Sequence, residues 1–149
     1  MRTVKFLHQV GVFRVTLYPL ARLIYQYQST RFGVELPFRT EVGPGLYIGH
    51  FNGIVVHYKS VIGKNCSLLQ GVTIGRTYRG EKKGIPTIGD NVFIGAGAVV
   101  LGNIKVGNGA AIGSNCVVVE DVPDGAVVVG IPGKVVSDRG SEGLIRHLI

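Results

Sequence analysis

Residues 88–123 read IGDNVF, IGAGAV, VLGNIK, VGNGAA, IGSNCV, VVEDVP when cut into sixes, and the period of this stretch decides the fold. Every block opens on Ile or Val (Ile88, Ile94, Val100, Val106, Ile112, Val118), and its fifth residue is Val92, Ala98, Ile104, Ala110, Cys116 or Val122. A period of six fits neither the alternation of a half-buried strand nor the 3.6 residues of a helix turn. It is the signature of a parallel β-helix, an all-β solenoid in which three short strands close a coil of about 18 residues and successive coils stack. The first residue of each six points inward, where only an aliphatic side chain fills the prism. The fifth is small because it lies near a corner, and glycine at the second relieves the backbone where a side chain would cost strain. Cys66 and Cys116 both fall at the fifth position, so they read as buried fillers rather than redox groups.

Upstream the period runs through Leu36, Val42, Ile48 and Ile54, then through Val56, Ile62, Leu68 and Ile74 after a two-residue shift. The fourteen-residue step from Ile74 to Ile88 implies an insertion of eight. That insertion lies within RTYRGEKKGIP, residues 76–86, where Arg76, Arg79, Lys82 and Lys83 face only Glu81. Residues 1–34 lack the repeat. There Pro19 can open a helix through Ala21, Leu23, Ile24 and Tyr27, and Gly33 can end it. The chain therefore divides into a helical cap (1–34), a β-helix (35–136) and a tail (137–149) expected as a mobile end or a short helix.

With 149 residues and 46% hydrophobic content, the chain suits one domain with an ample core. The net charge is +7, and five of the sixteen Lys and Arg (Arg2, Lys5, Arg14, Arg22, Arg31) lie among the first 34 residues, which hold no acid. An anionic ligand or surface is the expected partner, and nucleic acid is not. Alongside these cations stand Phe6, Leu7, Phe13, Leu17, Leu20, Leu23, Ile24 and Tyr27, so residues 1–34 are a candidate for peripheral contact with an inner membrane surface. Two cysteines fifty positions apart support neither a zinc knuckle nor a disulfide framework, which favours a reducing compartment. No uncharged run reaches transmembrane length, and no signal-peptide cleavage pattern is evident. A cytoplasmic protein is expected.

The stretches GHFNGIVVHYKSVIGKNCSLLQGVTIG (49–75), IPTIGDNVFIGAGAVVLGNIKVG (85–107) and VVVGIPGKVV (127–136) resemble the serine acetyltransferase group of hexapeptide-repeat acyltransferases. More closely, they look like the O-acetyltransferases of bacterial capsule and exopolysaccharide synthesis. The resemblance implies a left-handed β-helix, a homotrimer and the cosubstrate acetyl-CoA. The long N-terminal helical domain of the serine enzymes is missing, so a single trimer is expected rather than their dimer of trimers.

His50 matches the family's catalytic histidine. As the third residue of the six beginning at Ile48 it should also face outward from a turn, and imidazole suits removal of a hydroxyl proton near neutral pH. Glu35, fifteen residues earlier, matches the acidic residue that orients that histidine, leaving the other ring nitrogen free to accept the proton. His57 falls in the two-residue shift and reads as a structural or acceptor contact. His8 and His147 lie in the terminal segments and carry no argument. For acetyl-CoA the resemblance points to Thr77, Ala96 and Ser114 along one edge and to Lys134 near the nucleotide phosphates, with backbone N–H groups near Gly75 as oxyanion donors. Basic side chains of the 76–86 loop would suit phosphates.

Departures from the serine enzymes shape the acceptor. Their second active-site histidine is replaced by Ile85, the arginine before it by Gly84, and the aspartate before the base by Gly49. A roomier, more apolar mouth follows, where a sugar ring could stack on Phe51 or Tyr78 with help from His57 or Arg79. The expected function is therefore acetyl transfer to a sugar hydroxyl in surface polysaccharide synthesis. The alternatives are a serine O-acetyltransferase with an altered acceptor site, a drug-modifying acetyltransferase and a non-catalytic structural subunit. No metal is expected: a carbonic anhydrase on this fold needs three histidines per metal, and His50 and His57 supply at most two.

Overall fold

The computed structural model describes Phe6 and residues 11–145. Helix α1 (Gly11–Phe32) leads into strands that wind around a prism with three faces. The first face stacks β1 (Val34–Glu35), β4 (Ile54–Val56), β7 (Thr73–Gly75), β10 (Val99–Leu101) and β13 (Val117–Val118). On the second lie β2 (Glu41–Val42), β5 (Val61–Ile62), β8 (Thr87–Ile88) and β11 (Lys105–Val106). The third holds β3 (Tyr47–Ile48), β6 (Ser67–Leu68), β9 (Phe93–Ile94), β12 (Ala111–Ile112), β14 (Val127–Val129) and β15 (Lys134–Ser137). All pairings are parallel except β14 with β15.

The inward positions behave as the period requires. Ile62, Leu68, Ile74, Ile88, Ile94, Val100, Val106 and Ile112 are buried, as are Cys66 and Cys116 at the corners. Burying each large aliphatic side chain contributes about 1.5–3 kcal/mol. Burial also raises the pKa of both thiols, which suits inert fillers.

Register corrects the reading of the sequence in two places. Tyr47 lies opposite Ser67, twenty residues on, whereas Val55 lies opposite Thr73, only eighteen on. The two extra residues therefore sit between β3 and β4, not after Ile54. Backbone bonds narrow the place: Gly49 and Leu69 each donate to the coil above from the same level, and the carbonyls of Asn52 and Gln70 accept from Gly71 and Gly97 at the next. His50 and Phe51 are the insertion. Ile54 consequently stacks as a corner residue with Val72, Ala98 and Cys116, all buried, and His57 occupies an ordinary position after β4. At the upper end Val122 lies opposite Val106, sixteen residues on. It takes an inward first position rather than the fifth, because the block VVEDVP spans the corner in four residues, from Val118 to Val122.

The second-position glycines have a different cause from the one expected. A Cβ on Gly63 would stand 2.4 Å from the carbonyl oxygen of Gly89, and one on Gly107 would stand 2.4 Å from the nitrogen of Asp124. Stacked coils approach too closely there for any side chain. Left-handed backbone falls two residues later, at Asn65 (φ 52°), Asn91 (φ 55°) and Asn115 (φ 56°), where asparagine tolerates it.

Helix α1 begins no later than Gly11 and carries Pro19 inside it, so Pro19 does not open the helix. Gly33 ends it, at φ 59° with its N–H on the Thr30 carbonyl. The helix is tied to the first coil by the hydroxyls of Tyr25 and Ser29, which donate to the carbonyls of Leu36 and Val34, and by the edge-on contact of Tyr18 with Phe38. Leu20, Leu23, Ile24 and Tyr27 remain exposed. The tail from 138 to 145 is a run of turns rather than a helix, and it is anchored: Ser141 donates through its hydroxyl to Asn91 and through its N–H to Gly109. Arg2, Lys5, Leu7, His8, His147 and the side chains of Phe13 and Arg14 lie outside the described residues.

Candidate active site

His50 is exposed on the two-residue bulge at the corner between the third and first faces. The bulge is braced from below. Phe51 meets Phe32 at the end of α1 edge-on, 5.1 Å between ring centroids, and Asn52 adopts φ 112°. Above it the same corner carries Gln70, Ala96 and Ser114 on successive coils, since the carbonyls of Asn52, Gln70 and Ala96 each accept from the coil above. Ala96 and Ser114 thus share one vertical line with Asn52, next to the bulge that carries His50, and none of the side chains at Ala96, Gly97 and Ser114 is bulky. Glu35 lies in β1 opposite Val55 with its side chain exposed. Among the described residues no hydrogen bond or ion pair joins it to His50.

The remaining predicted residues occupy the other end of the first-face strands. His57 follows β4; its Nδ1 accepts the Lys59 N–H at 3.2 Å and its ring stacks on Tyr58 at 4.7 Å. Burial, then the cations Arg76 and Lys59, hold its pKa below the ordinary value, so the neutral ring is favoured. Gly75 ends β7 opposite Leu101. The loop that follows closes on itself through paired backbone bonds between Thr77 and Gly84, each 3.0 Å, with Tyr78 and Arg79 exposed and Ile85 half-buried. The Arg76 guanidinium stands 4.8 Å over the Tyr78 ring.

This loop does not offer four free cations. Lys82 reaches Asp121 at 2.6 Å, and its carbonyl accepts from Asn103 on the next coil. The ammonium holds the Asp121 carboxyl below its ordinary pKa, helped by the Lys105 N–H, while the carboxylate raises that of Lys82. Lys134 is exposed in β15 at the upper end, opposite Val129, which stands above Gly113 beside Ser114. One protomer therefore does not bring His50, Phe51, Ala96 and Ser114 together with His57, Tyr78, Arg79 and Ile85: the length of the first-face strands separates them.

Sequence reasoning left two features unassigned. One is the proximity of Arg76 to His57, signalled only by Gly75 lying one coil above His57. The other is a largely apolar cavity of about 440 Å³ lined by Tyr25, Phe32, Ile48 and Phe51 among others, which depends on where α1 docks. Among the described residues no group of three or more His, Cys, Asp or Glu could hold a metal, and no helix is long and apolar enough to cross a membrane.

Residues 85–120 match the family described as bacterial transferase hexapeptide (six repeats). The chain is 45% identical over 126 residues to a serine acetyltransferase of Bacillus pumilus, covering 85% of this chain and 58% of that protein. Among solved structures, Neisseria gonorrhoeae serine acetyltransferase in complex with serine is 43% identical with a TM-score of 0.69, over 78% of this chain and 47% of that one. A serine acetyltransferase in complex with CoA is 38% identical with a TM-score of 0.72, over 89% and 54%. The chain spans about half the length of the relatives it matches. These likenesses and the parallel coils make the fold a left-handed β-helix. They overturn the expectation of a polysaccharide acceptor, because these relatives are named serine acetyltransferases and none is a capsule or exopolysaccharide enzyme. By its repeat and its coil, the chain carries the bacterial transferase hexapeptide over residues 85–120 and is similar over most of its length to serine acetyltransferases.

Proposed function

We propose that this chain transfers acetyl from acetyl-CoA to the hydroxyl of serine, with His50 as general base. The observation that carries the reading is His50 itself, exposed on the bulge at the foot of the line formed by Ala96 and Ser114, in a chain 43% identical to a serine acetyltransferase solved with serine. His50 removes the hydroxyl proton as the oxygen attacks the thioester carbonyl, and it returns that proton to the departing thiolate. Glu35 on the neighbouring face orients the imidazole once the acceptor is in place. Small side chains at Ala96 and Gly97 let a pantetheine arm lie against the corner, Thr77 and Ser114 supply hydroxyls, and Lys134 meets phosphate. N–H groups near Gly75 meet the charge that develops on the carbonyl oxygen.

Both ends of the first-face strands take part in one site when protomers pack as a homotrimer, His50 of one against the loop of the next. Above Glu35, the outward side chains of the first face, Val55, Thr73, Val99 and Val117, suit such packing, whereas the second face shows Glu41 and Lys105. A peripheral lipid contact by α1 is favoured by its exposed Leu20, Leu23, Ile24 and Tyr27 and by the absence of acid among residues 1–34.

Steady-state kinetics with acetyl-CoA and L-serine test the reading. A kcat/KM for serine above about 10⁴ M⁻¹s⁻¹, the ordinary enzyme range, supports it. Binding of acetyl-CoA without transfer to serine defeats the acceptor assignment, and failure to bind acetyl-CoA restores the structural-subunit alternative.

A further inference from the structure

A zwitterionic acceptor must find a cation for its carboxylate, and Gly84 and Ile85 provide none. Among the loop cations Lys82 is committed to Asp121 at 2.6 Å. Arg76 is differently placed. It is the first residue after β7, its guanidinium is held 4.8 Å over the Tyr78 ring, and the residue before it, Gly75, stands directly above His57 on the next coil. His57 supplies a second donor. Because its Nδ1 accepts the Lys59 N–H at 3.2 Å, the neutral imidazole must carry its proton on Nε2. A fixed guanidinium and a neutral N–H donor on one edge, with no acidic side chain paired to either among the described residues, form a site for one carboxylate.

Resting on the acetyl-transfer reading above, we propose that Arg76 and His57 bind the carboxylate of the amino-acid acceptor, in place of the polar groups that the family has where this chain has Gly84 and Ile85. His57 is then a specificity residue, and Arg76 its charged partner; neither exchanges a proton with the substrate. Arg79 and Lys83, exposed on the same loop, add attraction without fixing orientation.

The test follows the His57 ring in ¹⁵N-histidine-labelled protein, its signal identified by its loss in His57→Gln, during titration with L-serine and with L-serinamide, which lacks the carboxylate. Serine should shift the Nε2 signal and serinamide should not. In parallel, Arg76→Gln should raise KM for serine about 10- to 100-fold, the usual cost of an unmatched charge, with kcat within a few-fold and thermal unfolding unchanged. Arg76→Lys should recover part of the loss. If serine is acetylated but leaves His57 unshifted, or if Arg76→Gln leaves KM unchanged, the carboxylate site is wrong and the proposed function stands. If serine shifts His57 and no acetyl is transferred, the site stands and the proposed function falls. If serine neither shifts His57 nor is acetylated, both fall.

Discussion

His50 occupies a place that the coil does not need for closure, because the residues on either side of the bulge keep the stacking bonds of the corner. Removing its side chain should therefore leave folding intact. His50→Ala is expected to lower kcat about 10²- to 10⁴-fold, the usual contribution of a positioned base, with an unchanged melting temperature; Glu35→Gln should cost less. A loss of activity that tracks unfolding in the melting curve would show a structural role instead. Gly63 is the opposite case. Alanine there places a methyl 2.4 Å from a backbone oxygen of the next coil, and Gly63→Ala should destabilise by about 1–3 kcal/mol in denaturant titration, the cost of overpacking. The inward aliphatic positions were legible because the period alone fixes which way they point. The reason for the second-position glycines was not, since it lies in the distance between coils that the sequence places sixteen or more residues apart.

At the scale of elements, the 76–86 loop is held to the next coil through Lys82 and Asp121. Asp121→Asn removes that ion pair, and trypsin should then cut the loop faster at Arg79, Lys82 or Lys83 while the coil stays intact. The same release is expected in acid. The Asp121 carboxyl is held below its ordinary value of 3.8, so its contribution is complete above that value, including neutral pH, and is lost as pH falls through the lower folded value. Loop cleavage by an acid-active protease should increase only there. For α1, flotation with anionic vesicles at low salt and its reversal at high salt are expected, since basic residues near such a surface contribute about 1 kcal/mol each; no flotation at either salt ends that idea. The eight-residue insertion was legible from spacing alone. Its attachment was not, because Asp121 is 39 residues from Lys82. The two-residue bulge was placed late for a different reason: Ile54 and Val56 are both aliphatic and both buried, so either could carry the period. Pro19 misled because its role at a helix start is common, while here tertiary contacts of Tyr18 and Tyr25 hold the helix on both sides of it.

For the whole molecule, the proposed function requires a neighbouring protomer to complete the site, because His50 and the loop are separated within one protomer. Assayed at serine well below KM, where the Arg76→Gln chain alone is nearly inactive, mixing His50→Ala and Arg76→Gln chains under refolding conditions should restore activity to about a quarter of the wild-type value, because one in four randomly formed interfaces of a closed ring joins an intact His50 to an intact Arg76. No recovery in the mixture would place a complete site within one chain. The family and the handedness of the coil were within reach of the sequence, carried by motifs whose order matches known relatives. The acceptor was misjudged because absent side chains at Gly49, Gly84 and Ile85 suggested another substrate, when a folded neighbour such as Arg76 could take over their charge. The reversal of β15 against β14 bears on a hazard of a different kind. A stack of parallel strands can in principle add further copies of itself without limit, and an open last strand is a template for polymerisation. By running backwards, β15 occupies the exposed edge of β14 on the third face and offers the next molecule no parallel register. A chain cut before Lys134 should accordingly show concentration-dependent light scattering from end-to-end fibres.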